Sequence, residues 1–322
     1  MKMANLQSVY KAPHSVDQDD AVLVSQLTGM SFGTSETGWA VGSAQVLLTR
    51  DGGLTWLNQF VPQLKQLGMA PWSVRAVDAN TCWLIGLLSA GDLYCCYTRD
   101  AGQSWQPQKF QPKFFPRDGF FVGSQRGWIV GDDGDYYSSR GRRLFITNDE
   151  GESWDEVDLG LVGKPKCLRF LEDGRRGWLI EQRLTTDRNN ISSHLYSSTN
   201  GGVEWKEVVH FDRDISDLCV LDEETLFVAG DDGFASRSTD GGQTWHRLNT
   251  RYRGFINSVE FYDKRLGVLL CDFGVLLLTQ DGGDTWQRIS DEREIGNLVA
   301  AVFLSETRIV VTANRGIYNL QL

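Results

Sequence analysis

Short runs of mostly apolar strand formers, such as 45–48 and 274–278, alternate with polar clusters rich in Asp, Gly, Ser and Thr. That is the pattern of short strands joined by tight turns. One eight-residue turn recurs six times, as Thr or Ser, any residue, Asp, any, Gly, any, Thr or Ser, Trp. The copies are TRDGGLTW at 49–56, TRDAGQSW at 98–105, TNDEGESW at 147–154, STNGGVEW at 198–205, STDGGQTW at 238–245 and TQDGGDTW at 279–286. The fourth departs most, with Asn200 for Asp and Glu204 for the hydroxyl residue. An Asp or Asn side chain accepts hydrogen bonds from backbone amides two residues on, and Gly supplies the positive φ with which the chain reverses. Asp51, Asp100, Asp149, Asn200, Asp240 and Asp281 are therefore read as structural, each occupied by its own turn. Trp56, Trp105, Trp154, Trp205, Trp245 and Trp286 start the returning strands and bury against a neighbouring sheet.

Upstream of each turn another strand opens on an aromatic or apolar residue: Trp39, Trp83, Trp128, Trp178, Phe227 and Val268. Ten of the eleven tryptophans then hold a repeat position, which leaves Trp72 as a loop anchor or an exposed contact. Each unit reads as strand a, tight turn, strand b, loop, strand c, Asp turn, strand d. Successive motif tryptophans lie 49, 49, 51, 40 and 41 residues apart, and four short antiparallel strands in roughly 40–50 residues is the signature of a propeller blade. Beyond Trp286, segments 298–304, 308–312 and 316–322 supply strands a, b and c of a seventh unit, and its strand d is expected from 6–11.

The expected fold is all-β: one domain over 1–322, a seven-bladed β-propeller of four-stranded antiparallel blades. The blades fall at about 26–60, 73–110, 117–159, 166–209, 214–249, 255–290 and 296–322, closed by an N-terminal strand within 5–12 paired to the C-terminal blade. Such closure removes exposed sheet edges. A six-bladed ring with both ends packed outside it is the alternative.

Composition narrows the function classes. The 322 residues are 41% hydrophobic and 23% charged, ordinary for a soluble chain with a large core, and no run reaches the roughly 18 apolar residues of a membrane span. With 32 basic against 42 acidic residues the net charge is -10, so nucleic acid is not an expected partner. Residues 1–16 carry no apolar core or cleavage site of a secretory signal. A cytoplasmic location is expected, or a periplasmic or luminal one if a leader has been removed. Cys82, Cys95, Cys96, Cys167, Cys219 and Cys271 sit singly in strand-like runs and read as buried thiols of a reducing compartment; the neighbours Cys95 and Cys96 point to opposite faces. His14, His194, His210 and His246 are isolated, and Asp132, Asp133 and Asp135 lack calcium-loop spacing and read as a solvated acidic loop. No metal and no cofactor are expected.

The six turns resemble Asp-boxes, the bacterial neuraminidase repeat, over nearly the whole chain. With WAVG at 39–42, WIVG at 128–131 and the recurring T-x-D-G-G-x-T-W phrase, the sequence is similar to the photosystem II stability/assembly factor family. That resemblance implies a seven-bladed binding protein without known chemistry, an assembly-factor-like scaffold, with an arginine patch as its contact region. Sialidases share the repeat but grip their substrate with three arginines, the first in an Arg-Ile-Pro motif before the first Asp-box, and use a Tyr/Glu pair as nucleophile. Here the first arginine is Arg50, inside the first turn, and no Arg-Ile-Pro occurs. No catalytic residue is assigned. A glycan-binding or glycoside-hydrolysing propeller with two carboxylates about 5–10 Å apart is the alternative, with carbohydrate as its ligand. A cytosolic inhibitor or immunity-type protein is another.

Loop length points to the working face. The b-to-c and d-to-a connections share one face of a propeller, and the longest b-to-c loops, 131–143 and 181–194, fall in consecutive blades, with 61–72 extending the same face. Long loops on a rigid scaffold are where recognition concentrates. These carry Tyr136, Tyr137, Arg140, Arg142, Arg143, Arg183 and Arg188, with Arg251, Tyr252 and Arg253 in a d-to-a loop. Tyr and Arg are enriched in interface hot spots. A protein or peptide partner bound by a monomer is the leading expectation. Replacing Arg142, Arg143 and Arg183 by Glu is expected to abolish partner capture without lowering thermal stability.

Overall fold

The Asp turns fold alike because one hydroxyl and one carboxylate collect the orphan amides. In the first, Thr49 Oγ1 donates to Asp51 Oδ1 (2.8 Å) and accepts the Gly53 amide (2.8 Å). Asp51 accepts the Thr55 amide (2.9 Å) and the Thr55 hydroxyl (2.6 Å), and the Trp56 ring nitrogen donates to Gly53 O (3.2 Å). The aspartate thus braces the residue four positions on rather than two, and the leading Thr is a second brace. In the fourth copy Asn200 accepts the Glu204 amide (3.0 Å) and donates its own amide to the Glu204 carboxylate (3.1 Å). The two departures exchange donor and acceptor and so compensate each other. The left-handed slot held by Gly52 in the first turn is filled by Ala101 (φ 54) and Glu150 (φ 62) in the second and third, at a cost of about 1–2 kcal/mol each.

A computed structural model describes residues 7–11, 26–42, 45–62, 68, 70–87, 93–109, 114–133, 141–184 and 191–322. Among these the chain forms seven four-stranded antiparallel sheets, each in the order a-b-c-d, and is a seven-bladed β-propeller. In blade 1 the strands are Leu27–Phe32, Gly38–Gly42, Gln45–Thr49 and Leu57–Gln59. Strands b and c there are buried at every position, which is why they read as unbroken apolar runs. Blade 7 is built from Leu298–Ser305, Arg308–Ala313 and Gly316–Gln321, and its strand d is Gln7–Lys11, with Gln7 opposite Asn319 and Lys11 opposite Gly316. The N-terminal closure is therefore as the sequence implies.

Strand a carries a bulge at one register in every blade. The pairing slips between Leu27 and Gly29, Pro71 and Ser73, Pro116 and Asp118, Pro165 and Cys167, Ile215 and Asp217, Ile256 and Ser258, and Leu298 and Ala300. A bulge bends the strand and leaves a position where no amide is needed, which suits proline. Trp72 is the bulge residue of Ala70–Ala76, so strand a of blade 2 starts earlier than expected and Trp72 belongs to it rather than to a loop. The expected loop 181–194 is also shorter. Strands Gly177–Leu184 and Ile191–Ser198 extend into it as a polar hairpin, paired to Leu184 opposite Ile191.

By contacts the chain falls into two units. In the first, Met1–Lys113 with Phe273–Leu276 and Arg288–Leu322, blades are latched through turn carbonyls: Arg308 donates to Gly52 O (2.5 Å) and Arg50 to Ala101 O (3.3 Å). In the second, Phe114–Asp272 with Leu277–Gln287, Trp128 donates to Gly201 O (2.9 Å), Trp178 to Gly241 O (3.2 Å) and Arg237 to Gly282 O (2.9 Å). A polar ladder also crosses the a strands of the second unit. Asp118 accepts the Leu168 amide (3.0 Å) and Arg169 (2.8 Å); Arg169 reaches on to Asp217 (2.8 Å), and Asp217 accepts the Ser258 hydroxyl (2.6 Å) and the Val259 amide (3.2 Å). All six cysteines are free and buried, and burial pushes the Cys96 thiol up to about 12.

Candidate functional site

Strand d of blade 5, His246–Arg247, leads into a segment that turns back over the b-to-c turn of its own blade, Asp231–Gly233. The segment is pinned there by its backbone: the Gly233 amide donates to Gly254 O (2.7 Å), and the Thr250 hydroxyl donates to Gly233 O (2.9 Å). Gly233 is required, because a Cβ would collide with the Tyr252 carbonyl. Arg251 sits in the left-handed region (φ 53). A backbone pinned on both sides holds that strain of the kind found at binding sites.

The result is a cavity of about 830 Å³ lined by Arg247, Thr250, Arg251, Tyr252, Arg253 and Asp232, among others. Arg247 lies 5.5 Å over the Phe234 ring, a cation–π contact that fixes its direction. Arg251 and Arg253 are exposed, and among the described residues neither guanidinium forms an ion pair. Three arginines against one aspartate make this a locally positive pocket in a chain of net charge -10. Planar guanidinium forks match carboxylates, so the chemistry on offer is capture of an acidic group beside a tyrosine.

The other expected contact residues are placed differently. Tyr136, Tyr137, Arg140 and Arg188 lie outside the described residues. Arg142 is buried (2% exposed), donates to Gly163 O (2.7 Å) and lies 3.5 Å from Asp133. Arg143 pairs with Glu156 (3.2 Å) at the start of strand c. Arg183 is on strand b, where it bonds Glu181 (2.8 Å) and the Tyr196 hydroxyl. The expectation that Glu at Arg142, Arg143 and Arg183 leaves stability untouched does not fit this wiring, since Arg142 is itself buried and Arg183 pairs with the buried Glu181. Of the expected contact residues among the described ones, Arg251, Tyr252 and Arg253 converge on the cavity. Arg247 and Asp232 were missed by sequence, since one lies just after a motif tryptophan and the other in a turn with no length signal.

A second polar cluster lies on blade 4. Glu181 is fully buried and accepts the Gly163 amide, Arg183 and the Tyr196 hydroxyl (2.9 Å), while Glu207 accepts the same hydroxyl (3.2 Å). Burial and the two carboxylates push the Tyr196 phenol well up. His194 and His210 are not isolated as expected: they face each other across strands with rings stacked at 5.6 Å, and His194 Nδ1 meets Glu207 Oε1 (2.8 Å). Asp132 is likewise no solvated loop residue. Its side chain is buried and paired to Arg117 (2.6 Å).

The model of the photosynthesis system II assembly factor YCF48 family matches residues 197–320. Over 326 aligned residues the chain is 24% identical to photosystem II assembly protein Ycf48 of Synechococcus sp. (strain JA-2-3B'a(2-13)), covering 86% of this chain and 90% of that protein. Over 294 residues it is 24% identical to the chloroplastic photosystem II stability/assembly factor HCF136 of Arabidopsis thaliana, covering 74% of this chain and 72% of that one. Among solved structures, YCF48 bound to D1 peptide superposes with a TM-score of 0.75 at 20% identity, covering 100% of this chain and 96% of the other. YCF48 from Cyanidioschyzon merolae does so at 0.71 and 19%, covering 97% and 98%. The chain is thus an Asp-box propeller similar in sequence to the photosystem II assembly factors.

Proposed function

We propose that this protein is a non-enzymatic, assembly-factor-like propeller that binds an acidic peptide or protein segment on its loop face, with Arg251, Tyr252 and Arg253 as the primary contacts. The observation that carries the reading is the cavity itself: two exposed guanidiniums with no ion pair among the described residues and a tyrosine, on a backbone pinned to the turn beneath. The similarity to photosystem II assembly factors supports a peptide as the ligand class, since one related structure holds a D1 peptide. Arg143, with Tyr136, Tyr137, Arg140 and Arg188 outside the described residues, supplies secondary contacts in this reading, and the protein acts as a monomer. The cytoplasmic location expected from residues 1–16 finds no support in the comparisons. One relative is chloroplastic, and a location on the far side of a membrane fits the reading better. No helix among the described residues is long and apolar enough to cross a membrane.

The test is fluorescence anisotropy with a labelled D1 peptide and an acidic peptide of unrelated order. The wild-type chain is expected to bind, and Arg251→Glu with Arg253→Glu to weaken binding at least about tenfold with unchanged melting. Equal binding by that double variant would remove the site.

A further inference from the structure

The three arginines of the cavity are held by different means. Arg247 extends from strand d of blade 5, opposite Ser236, and its guanidinium lies over the buried Phe234 ring. Arg251 and Arg253 stand on the connection that follows, exposed and with no ion pair among the described residues. A long side chain on an unrestrained backbone loses freedom when a ligand captures it, and that loss is subtracted from affinity. Whatever restrains this backbone therefore belongs to the site.

Three hydrogen bonds fasten it: the Gly233 amide to Gly254 O (2.7 Å), the Thr250 hydroxyl to Gly233 O (2.9 Å) and the Tyr252 amide to Thr250 Oγ1 (3.3 Å). A further fastening is the Tyr252 side chain, half-buried and folded back on Gly254. A Cβ at 254 would overlap the Tyr252 hydroxyl and two of its ring carbons. The φ of Gly254 is not positive, so space for the ring, not backbone conformation, is what calls for glycine there. Gly233 differs, since its φ is 65 and a Cβ would strike the Tyr252 carbonyl. The contact from Tyr252 to Gly254 spans Arg253 and adjoins Arg251 in its left-handed slot. All of these residues belong to the second unit.

We propose that Tyr252 and Gly254 form a latch that pre-sets the Arg251–Arg253 segment for an acidic peptide, with Tyr252 as a positioning residue. The inference rests on the peptide-binding reading and says how two of its arginines are ordered before the ligand arrives. Its test is a double-variant cycle read by anisotropy with a labelled acidic dodecapeptide. Gly254→Ala is expected to weaken binding about tenfold with unchanged melting, because the methyl meets the far end of a side chain that can swing away. Tyr252→Ala should weaken binding by the same factor, and Gly254→Ala added to it should change nothing further, since the ring it displaces is already gone. Tyr252→Phe keeps the ring and should keep most of the affinity. None of these variants removes a charge, so their binding should retain the wild-type salt dependence, unlike that of Arg251→Glu with Arg253→Glu. Wild-type affinity in Gly254→Ala, or equal weakening by that change with and without the Tyr252 ring, overturns the proposal; if Tyr252→Ala alone is weak, the tyrosine is a direct contact instead. Should Gly254→Ala melt well below wild type, the tyrosine variants decide, and equal loss in Tyr252→Phe and Tyr252→Ala contradicts the latch. If wild type binds no acidic peptide, the peptide-binding reading itself fails.

Discussion

Each Asp-box aspartate is a carboxylate held in its charged form by the turn it closes. The Thr244 hydroxyl and amide hold Asp240 down to about 2, and those of Thr285 do the same for Asp281; Asp100 and Asp149 are lowered by the matching serines. Because the folded-state values lie below the ordinary 3.8, these groups contribute stability above about pH 4, and it is lost as pH falls toward 2. Thermal melts followed by tryptophan fluorescence should show a steep drop across that window. Asp240→Asn should lower the melting temperature at neutral pH and reduce the slope below pH 4; an unchanged slope would show that the turns do not govern acid stability. The aspartates and tryptophans were legible because their spacing repeats. The leading hydroxyl repeats just as regularly, but its role as a second brace shows only once the turn is built.

Blades are joined by polar ladders as well as by apolar packing, and the ladder through the a strands is the most demanding. Arg169 satisfies Asp118 and Asp217, whose side chains are 10% and 14% exposed. Removing it leaves two nearly buried carboxylates without its guanidinium, so Arg169→Met should cost about 3–5 kcal/mol, measured by urea denaturation. Asp118→Asn combined with Arg169→Met should recover part of that loss, and a negligible effect of Arg169→Met would contradict the ladder. Strands b and c could be read from their apolar runs, and strand d from the turn before it. Strand a was harder. Its bulge breaks the period of two, which hid the placement of Trp72, and the hairpin between strands b and c of blade 4 looked like a loop because its residues are mostly polar although Glu181 and Ser193 are buried.

Across the molecule the number of blades followed from turn spacing, and the closing strand from the one blade that lacked a strand d. Deleting residues 1–11 should free the outer edge of Gly316–Gln321, lowering the melting temperature and producing concentration-dependent association on sizing columns, because an uncovered strand recruits another. A monomeric, equally stable truncation would mean that the N-terminal strand does not close the propeller. The proposed binding surface was only partly legible. Loop length pointed to blades 3 and 4, whereas the cavity that forms lies in a short connection of blade 5, where backbone pinning rather than length positions the arginines.

The account rests on that cavity being an acid-recognising site. Its most direct test is titration of an acidic dodecapeptide into wild-type protein and into the Arg251→Glu, Arg253→Glu double variant at low and high salt. The account predicts wild-type binding that weakens steeply with salt, at least about tenfold weaker binding by the variant, and matched melting temperatures. Salt-insensitive binding shared equally by both proteins, or none by wild type, would contradict it.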